Sequence, residues 1–208
     1  MDEQIILDAV PTGFLGVNTY VLRRGGEALV IDPGGDARLV MERLGGAALA
    51  AVLLTHSHFD HVGGVDELLA AAPGAELLCH PLCAERIRDA AANLSEMAGD
   101  PFVVGHPARA VAGGAEIAPA NIPLRTFFVP GHTPDHLCFY QPERGWLFCG
   151  DTVFAGSVGR SDFPGGDGEL LLRGIRAMLA AVPPETQVFP GHGPATTAGG
   201  ELRDNPYL

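Results

Sequence analysis

The stretch AVLLTHSHFDHVGG, residues 51–64, sets three histidines and an aspartate directly after an apolar run. Residues 51–54 are typical of a buried strand, and His56, His58, Asp60 and His61 follow within the next seven residues. Crowding these side chains at a strand end adds nothing to core packing, whereas active-site groups are commonly presented from loops that a sheet holds in place. The stretch therefore predicts a functional site.

Three later segments have the same form, an apolar strand followed at once by a metal-binding side chain. They are FFVPGHTP with His132, WLFCGD with Asp151 and QVFPGHGP with His192. Imidazole and carboxylate are zinc ligands, and catalytic sites leave one position open for water. The mixed set favours zinc, iron or manganese over calcium, which prefers oxygen ligands. Five histidines and two aspartates suffice for two divalent ions that share one bridging aspartate, with zinc the first choice of metal.

Spacing divides the ligands of the first stretch. Side chains alternate in an extended segment, so His56 and His58 face the same way, while Asp60 and His61 lie beyond the turn and can face a second ion. Asp32 in VIDPG follows an apolar strand and either supports a ligand histidine or caps a turn.

Two other groups of side chains have weaker claims to the site. His136 is expected to be structural or to lie behind the ligands, and His80 and His106 are assigned to the surface or to loops. The four cysteines are expected to be buried and reduced. Two of them, in the CHPLC segment at 79–83, are at most a weak metal candidate.

Composition bounds the remaining possibilities. The 208 residues are 47% hydrophobic and 18% charged, which predicts one folded domain over residues 1–208. The net charge of −12 argues against a nucleic-acid partner, and the absence of lysine excludes Schiff-base chemistry. The longest apolar run, residues 45–54, is shorter than the roughly 18 residues of a membrane helix, and residues 1–10 lack the basic and long apolar regions that predict a secretion signal. We expect a cytoplasmic protein that acts on a small molecule; the oligomeric state stays open.

The element pattern is α/β. Strand-like segments are predicted at 4–10, 19–24, 28–33, 51–54, 75–80, 124–130, 136–140, 146–150 and 186–192, and helices at 36–44, 65–72, 83–92 and 168–181. Residues 93–124 are rich in Gly and Pro and are predicted to be irregular, with room for a lid. Periodicity alone does not choose between a sandwich with outer helices and a doubly wound sheet.

The motifs THSHFDH, GHTP, GD and GHG, in that order, resemble the metallo-β-lactamase superfamily, and within it the glyoxalase II-like hydrolases. The resemblance covers about residues 20–192. It implies a four-layer αββα sandwich with metals at one edge of two sheets. By the same resemblance, one ion is held by His56, His58 and His132, the other by Asp60, His61 and His192, and Asp151 bridges them.

The resemblance implies hydrolysis of a thioester, or of a small ester or lactone, by metal-bound hydroxide. Asp60 is the predicted catalytic residue, because it could orient the nucleophile as well as bind metal. Arg160 and Asp162 lie in a segment, 156–166, similar to one in the glyoxalase II-like and persulfide dioxygenase-like members. They are expected to form an ion pair in the site wall or to contact substrate.

Two features qualify this expectation, and two alternatives stay open. His61, directly after the motif aspartate, argues against β-lactam hydrolysis. Only 16 residues follow His192, so the glutathione-binding helical domain of full-length glyoxalase II is expected to be absent. The alternatives are a mononuclear iron enzyme similar to persulfide dioxygenases and a non-enzymatic metal-binding protein.

Overall fold

The computed structural model describes residues 4–208, which form two compact units. The first unit consists of the described residues up to Val111 together with Ala118–Ile122. The second consists of Ala112–Ile117 and Pro123–Leu208. Each unit contains one six-stranded sheet. The single domain expected from composition stays a prediction.

The sheet of the first unit follows the order of the chain. Its strands are β1 (Ile6–Thr12), β2 (Val17–Arg24), β3 (Glu27–Ile31), β4 (Ala48–Leu53), β5 (Glu76–Cys79) and β6 (Ala108–Ala110). The first three strands pair antiparallel, and β3 to β6 pair parallel. β4 is largely buried and pairs with a strand on each side. The sheet therefore holds the start of the segment that follows β4 in place.

The helices of the first unit are short. They are α1 (Ala37–Arg43), α2 (Phe59–Val62), α3 (Val65–Ala71), α4 (Pro81–Arg86) and α5 (Ser95–Ala98), with a 3-10 turn at Pro119–Asn121. Val40 of α1, Leu68 of α3 and Cys83 of α4 pack with the strand residues Val30 and Val52 in one buried cluster. This cluster covers one face of the sheet.

The second unit has a mixed sheet ordered β14-β13-β10-β9-β8-β7. Its strands are β7 (Glu116–Ile117), β8 (Leu124–Phe128), β9 (Leu137–Gln141), β10 (Trp146–Gly150), β13 (Gln187–Pro190) and β14 (Thr196–Thr197); β11 (Val153–Phe154) and β12 (Ser157–Val158) form a small hairpin. Only the β10–β13 pair is parallel. Neither sheet is therefore the doubly wound parallel sheet that periodicity left open.

The principal helix of the second unit is α6 (Gly168–Ala180), as the apolar spacing predicted. Asp167 caps it by accepting a hydrogen bond from the Leu170 N–H. Its buried face, including Leu171 and Ile175, packs on Cys149 of β10 and Val188 of β13. The last helix is α7 (Ala198–Asp204), where the sequence predicted only a short polar tail.

Two predicted segments differ from the structure. The helix predicted at 83–92 is instead α4, Pro81–Arg86, followed by turns. The Asp89 carboxylate accepts hydrogen bonds from the Ala91 and Ala92 N–H groups, and such local bonds compete with a helix. The region predicted to be irregular, 93–124, contains α5, β6, β7 and the 3-10 turn. Within residues 4–208, no helix combines the length and apolarity needed to cross a membrane.

Candidate metal centre

The first unit brings four of the predicted ligands together just beyond β4. His56, His58 and His61 are buried, and Asp60 is partly buried in α2. Ligand atoms of His56 and His58 lie within 4.8 Å of one another, as do those of His56 and His61, and of Asp60 and His61. These separations allow neighbouring side chains to share an ion.

Asp32 and Thr55 determine which nitrogen of His56 is available. The Thr55 N–H and hydroxyl both donate to the Asp32 carboxylate, at 2.7 and 2.6 Å. Since a hydroxyl has one proton, Thr55 Oγ1 accepts from His56 Nδ1 at 3.0 Å. A neutral imidazole protonated at Nδ1 keeps its lone pair on Nε2, which is the form that binds metal.

Asp32 holds His61 in the same way. Its Oδ2 lies 2.9 Å from His61 Nδ1, and both side chains are buried. This leaves His61 Nε2 on the side of Asp60, whose Oδ2 is 3.7 Å away. Asp32 therefore contacts His61 directly and reaches His56 through Thr55, in the manner of carboxylates that orient metal-binding histidines.

Sequence reasoning missed two residues that fix this segment. Thr55 stands next to His56, but its hydroxyl geometry has no sequence signature. Arg86, at the end of α4, donates from Nε to Ser57 Oγ at 3.0 Å and from Nη2 to the Ala92 carbonyl at 2.7 Å. Ser57 lies between His56 and His58, so Arg86 ties the ligand segment to a helix 29 residues further along the chain.

The second unit brings the other three predicted ligands together. His132 follows β8, Asp151 follows β10 and His192 follows β13. The Nε2 atoms of His132 and His192 each lie 3.8 Å from Asp151 Oδ2. His132 Nδ1 donates to the Arg160 carbonyl at 2.7 Å, because a carbonyl only accepts, and its Nε2 therefore carries the lone pair.

The backbone around Asp151 is held closely. The Asp151 N–H donates to His136 Nε2 at 3.1 Å, so the buried His136 supports the backbone of this predicted ligand. Gly159 packs so tightly that a Cβ there would lie 1.8 Å from the Asp151 carbonyl oxygen. Sequence reasoning also missed Gly159, whose requirement comes from a close approach between two loop backbones.

Arg160 and Asp162 form a bidentate ion pair, with both N···O distances 2.7 Å. The hydrogen bonds from Arg160 lower the pKa of the Asp162 carboxyl to about 2. Both side chains are more than half exposed, and the Arg160 guanidinium lies over the Phe163 ring at 3.8 Å. The pair lies in the loop whose Arg160 carbonyl accepts from His132.

The histidines assigned to the surface or to loops lie outside these clusters. His80 begins α4 and its Nδ1 accepts from the Leu82 N–H. His106 bonds to Asp66 of α3 at 2.6 Å. Burial tends to raise the pKa of Asp66, but hydrogen bonds from Gly105 and His106 outweigh it and leave that pKa below its usual value.

All four cysteines are buried and none of them is in a disulfide, as expected. Cys79 and Cys83 lie in the apolar cluster of the first unit, where they pack with helices and strands. Burial raises the pKa of the Cys149 thiol to about 12.

Comparison with known proteins identifies the class. The metallo-beta-lactamase superfamily pattern matches residues 12–192, so the chain belongs to that superfamily. The predicted α/β metallo-β-lactamase fold is thereby confirmed, with sheets flanked by helices. Members bind divalent metal, and the tautomers of His56, His61 and His132 fit that role.

Its relatives differ in what their names state. The chain is 34% identical to the probable metallo-hydrolase YqgX of Bacillus subtilis, over 96% of this chain and 95% of that one. It is also 34% identical to the hydroxyacylglutathione hydrolase GloC of Haemophilus influenzae, over 87% of each.

Two solved structures are similar over nearly the whole chain. The BLEG-1 B3 metallo-beta-lactamase superposes with a TM-score of 0.92 at 34% identity, covering 98% of this chain and 99% of that one. TTHA1623 in a di-iron-bound form superposes with a TM-score of 0.85 at 37% identity, covering 97% and 100%.

Proposed function

We propose that this protein is a dinuclear metallohydrolase that cleaves a thioester of the hydroxyacylglutathione type or a related small ester or lactone. Membership of the superfamily supports the metal-dependent hydrolase, and the name of the Haemophilus relative supports the thioester. Zinc is our first choice of metal. Iron is supported by the di-iron-bound form of TTHA1623, and manganese would suit the same ligands.

The observation that carries the proposal is the fixed orientation of three imidazoles. His56, His61 and His132 each direct Nδ1 to a protein oxygen, which reserves Nε2 for an ion. We assign the ligands as the family pattern does. By that pattern His56, His58 and His132 would hold one ion, Asp60, His61 and His192 would hold the other, and Asp151 would serve both.

Two bound ions supply an acidic water and polarise the substrate carbonyl. The side chains of the protein do the rest. The Asp60 carboxylate orients the attacking water by accepting a hydrogen bond from it. Asp32 holds His61 directly and holds His56 through Thr55. Water adds its oxygen to the carbonyl carbon, the C–S bond breaks, and the proton released from water ends on the departing thiolate. The products are one carboxylic acid and one thiol.

A second candidate function is β-lactam hydrolysis. The sequence expectation from His61 argued against it, but a protein named as a B3 metallo-beta-lactamase is 34% identical over 98% of this chain. An amide in a strained ring would be opened by the same chemistry, with a nitrogen leaving group in place of sulfur. This candidate therefore belongs in the same assay.

The test is a substrate panel on protein whose metal content has been counted. The panel contains S-lactoylglutathione, an acyl-N-acetylcysteamine thioester, a lactone, a chromogenic cephalosporin and glutathione persulfide with an oxygen electrode. We expect about two ions per chain and release of thiol and acid in equal amounts. The thioesters should exceed the cephalosporin in kcat/KM by at least about tenfold.

Other outcomes would replace the proposal. One iron per chain with oxygen consumption on glutathione persulfide would make the protein a dioxygenase of the alternative class. Tight metal with no turnover of any panel member would make it a metal-binding protein without hydrolase activity. A higher kcat/KM on the cephalosporin than on the thioesters would make it a β-lactamase.

A further inference from the structure

A cavity of about 750 Å³ in the first unit is lined by apolar side chains and by Asp60. Phe14 and Leu15, at the turn between β1 and β2, form one side, and Phe59 and Phe102 also line it. Phe14 is 97% exposed and Leu15 49% exposed, although both are large and apolar. An aromatic ring left this open beside a predicted catalytic carboxylate is suited to contact a substrate.

Backbone packing sets the Phe14 turn against the ligand segment. A Cβ on Gly13 would lie 2.6 Å from the Gly34 carbonyl oxygen, and one on Gly34 would lie 2.0 Å from the Asp60 carbonyl oxygen. The Gly13 N–H also donates to Asp36 at 3.0 Å. The turn is therefore anchored at its base, while the two side chains at its tip extend into solvent.

A hydrogen-bond network fixes another part of the cavity wall. The Asn93 carbonyl accepts from the Phe59 N–H at 2.8 Å, and the Asn93 side-chain amide donates to the Phe102 carbonyl at 2.9 Å. Ser95 Oγ bonds to both the N–H and the carbonyl of Phe102 at 3.0 Å. The backbones of Phe59 and Phe102 are thus held in position. Phe102 lies in the segment 93–124, where the sequence left room for a lid.

The charges around the cavity define the ligand further. Its charged lining residues, Asp60 and Asp100, are both acidic. Because Asp60 is a proposed metal ligand, an ion would offset its charge, and Asp100 is the lining carboxylate that would repel an anionic group. The apolar walls favour an apolar group. These conditions describe a neutral hydrocarbon or aryl group and disfavour an anionic one.

We propose that this cavity binds the acyl group of the substrate, and that the acyl group is neutral and apolar rather than hydroxylated. Phe14 and Leu15 then determine specificity by closing over the group against Phe59 and Phe102. The inference rests on the proposed thioester hydrolysis and replaces the hydroxyacyl group of the hydroxyacylglutathione type with an apolar acyl group.

The test compares two N-acetylcysteamine thioesters that differ only in the acyl group, hexanoyl against lactoyl, on the metal-loaded protein. Each buried methylene favours binding about fourfold, so partial burial of the longer chain should favour hexanoyl by at least about tenfold in kcat/KM. Phe14→Ala should reduce that preference about tenfold, mainly through a higher KM for hexanoyl. Ile6→Ala is the control, because Ile6 is exposed on the same hairpin at the opposite end of β1 and should leave the preference unchanged.

A binding measurement separates this inference from the proposed function. Calorimetry with the non-hydrolysable S-hexyl-N-acetylcysteamine should show affinity that Phe14→Ala weakens about tenfold and Ile6→Ala does not. Hydrolysis of both thioesters with equal kcat/KM would overturn the acyl assignment and leave the hydrolase intact. Binding that depends on Phe14 without hydrolysis of either thioester would reject the proposed hydrolase and keep the apolar binding cavity. Hexyl binding that ignores Phe14 would also reject the acyl assignment.

Discussion

At the scale of single residues, the site depends on which ring nitrogen each histidine presents. Asp32 decides this for two of them, because its carboxylate accepts from His61 Nδ1 and from the Thr55 hydroxyl that in turn accepts from His56. The Arg160 carbonyl does the same for His132. A single buried carboxylate and one carbonyl therefore define three of the proposed ligands.

Asp32→Asn should lower metal affinity about 10- to 100-fold, although it removes no proposed ligand. The amide keeps one acceptor oxygen but turns an N–H₂ donor toward groups that also donate, so Thr55 or His61 must change its hydrogen bonding. Competition with a chromophoric chelator measures the affinity. Asp8→Asn is the matched control, because Asp8 bonds only to Arg23 among the contacts described for it and should leave metal binding unchanged. Equal affinities for wild type and Asp32→Asn would contradict the orienting role.

Asp60→Ala should lower kcat at least about 100-fold, the usual size of a general-base contribution, while the metal content falls by no more than one ion. Metal analysis and thioester turnover are measured on the same preparation. Asp204→Ala is the control, since Asp204 is an exposed aspartate that pairs with Arg203 and is not a proposed ligand. Loss of activity in strict proportion to metal would reduce Asp60 to a ligand.

At the scale of elements, the proposed ligands lie just beyond the ends of β4, β8, β10 and β13. Within each unit a glycine lets two backbone segments approach closely, Gly34 beside Asp60 and Gly159 beside Asp151. Much of this scale was predictable. Alternation and apolar runs predicted those strands, and the spacing of Leu171 and Ile175 predicted α6. The end of α4 was not predictable, because it depends on side-chain bonds from Asp89 and Arg86 to a turn whose conformation the sequence does not display.

Gly159→Ala should destabilise the protein by about 1–3 kcal/mol, because the added methyl would overlap the Asp151 carbonyl and force the two loops apart. The midpoint temperature of thermal unfolding should fall by roughly 2–4 °C for each kcal/mol of destabilisation in a chain of this size. Gly105→Ala is the control: the same substitution meets only Asp66 Oδ2, at an ordinary contact distance of 3.4 Å. Equal unfolding temperatures for the two variants would show that the loops adjust freely.

At the scale of the whole molecule, the order of motifs along the chain was enough to predict the family and its fold. This was possible because the spacing of the proposed ligands, and their position directly after apolar runs, can be recognised in the sequence. Thr55, Arg86 and Gly159 were missed because their roles arise from contacts between residues up to 29 positions apart, or from the absence of a side chain. The activity is harder to predict from the sequence, because relatives named for different activities share the same 34% sequence identity with this chain.

The two hydrophobic clusters also predict how the folded protein reacts with thiol reagents. All four cysteines are buried and none is in a disulfide, and burial raises the pKa of the Cys149 thiol to about 12. Because the thiolate is the reactive form, the folded protein should react with an aromatic disulfide reagent at least about 100-fold more slowly than the unfolded chain. In denaturant, four thiols per chain should react at once. Prompt reaction of one thiol in the folded state would contradict the prediction and would show that one hydrophobic cluster opens to solvent. Cys→Ala variants would identify the reactive cysteine and so the cluster.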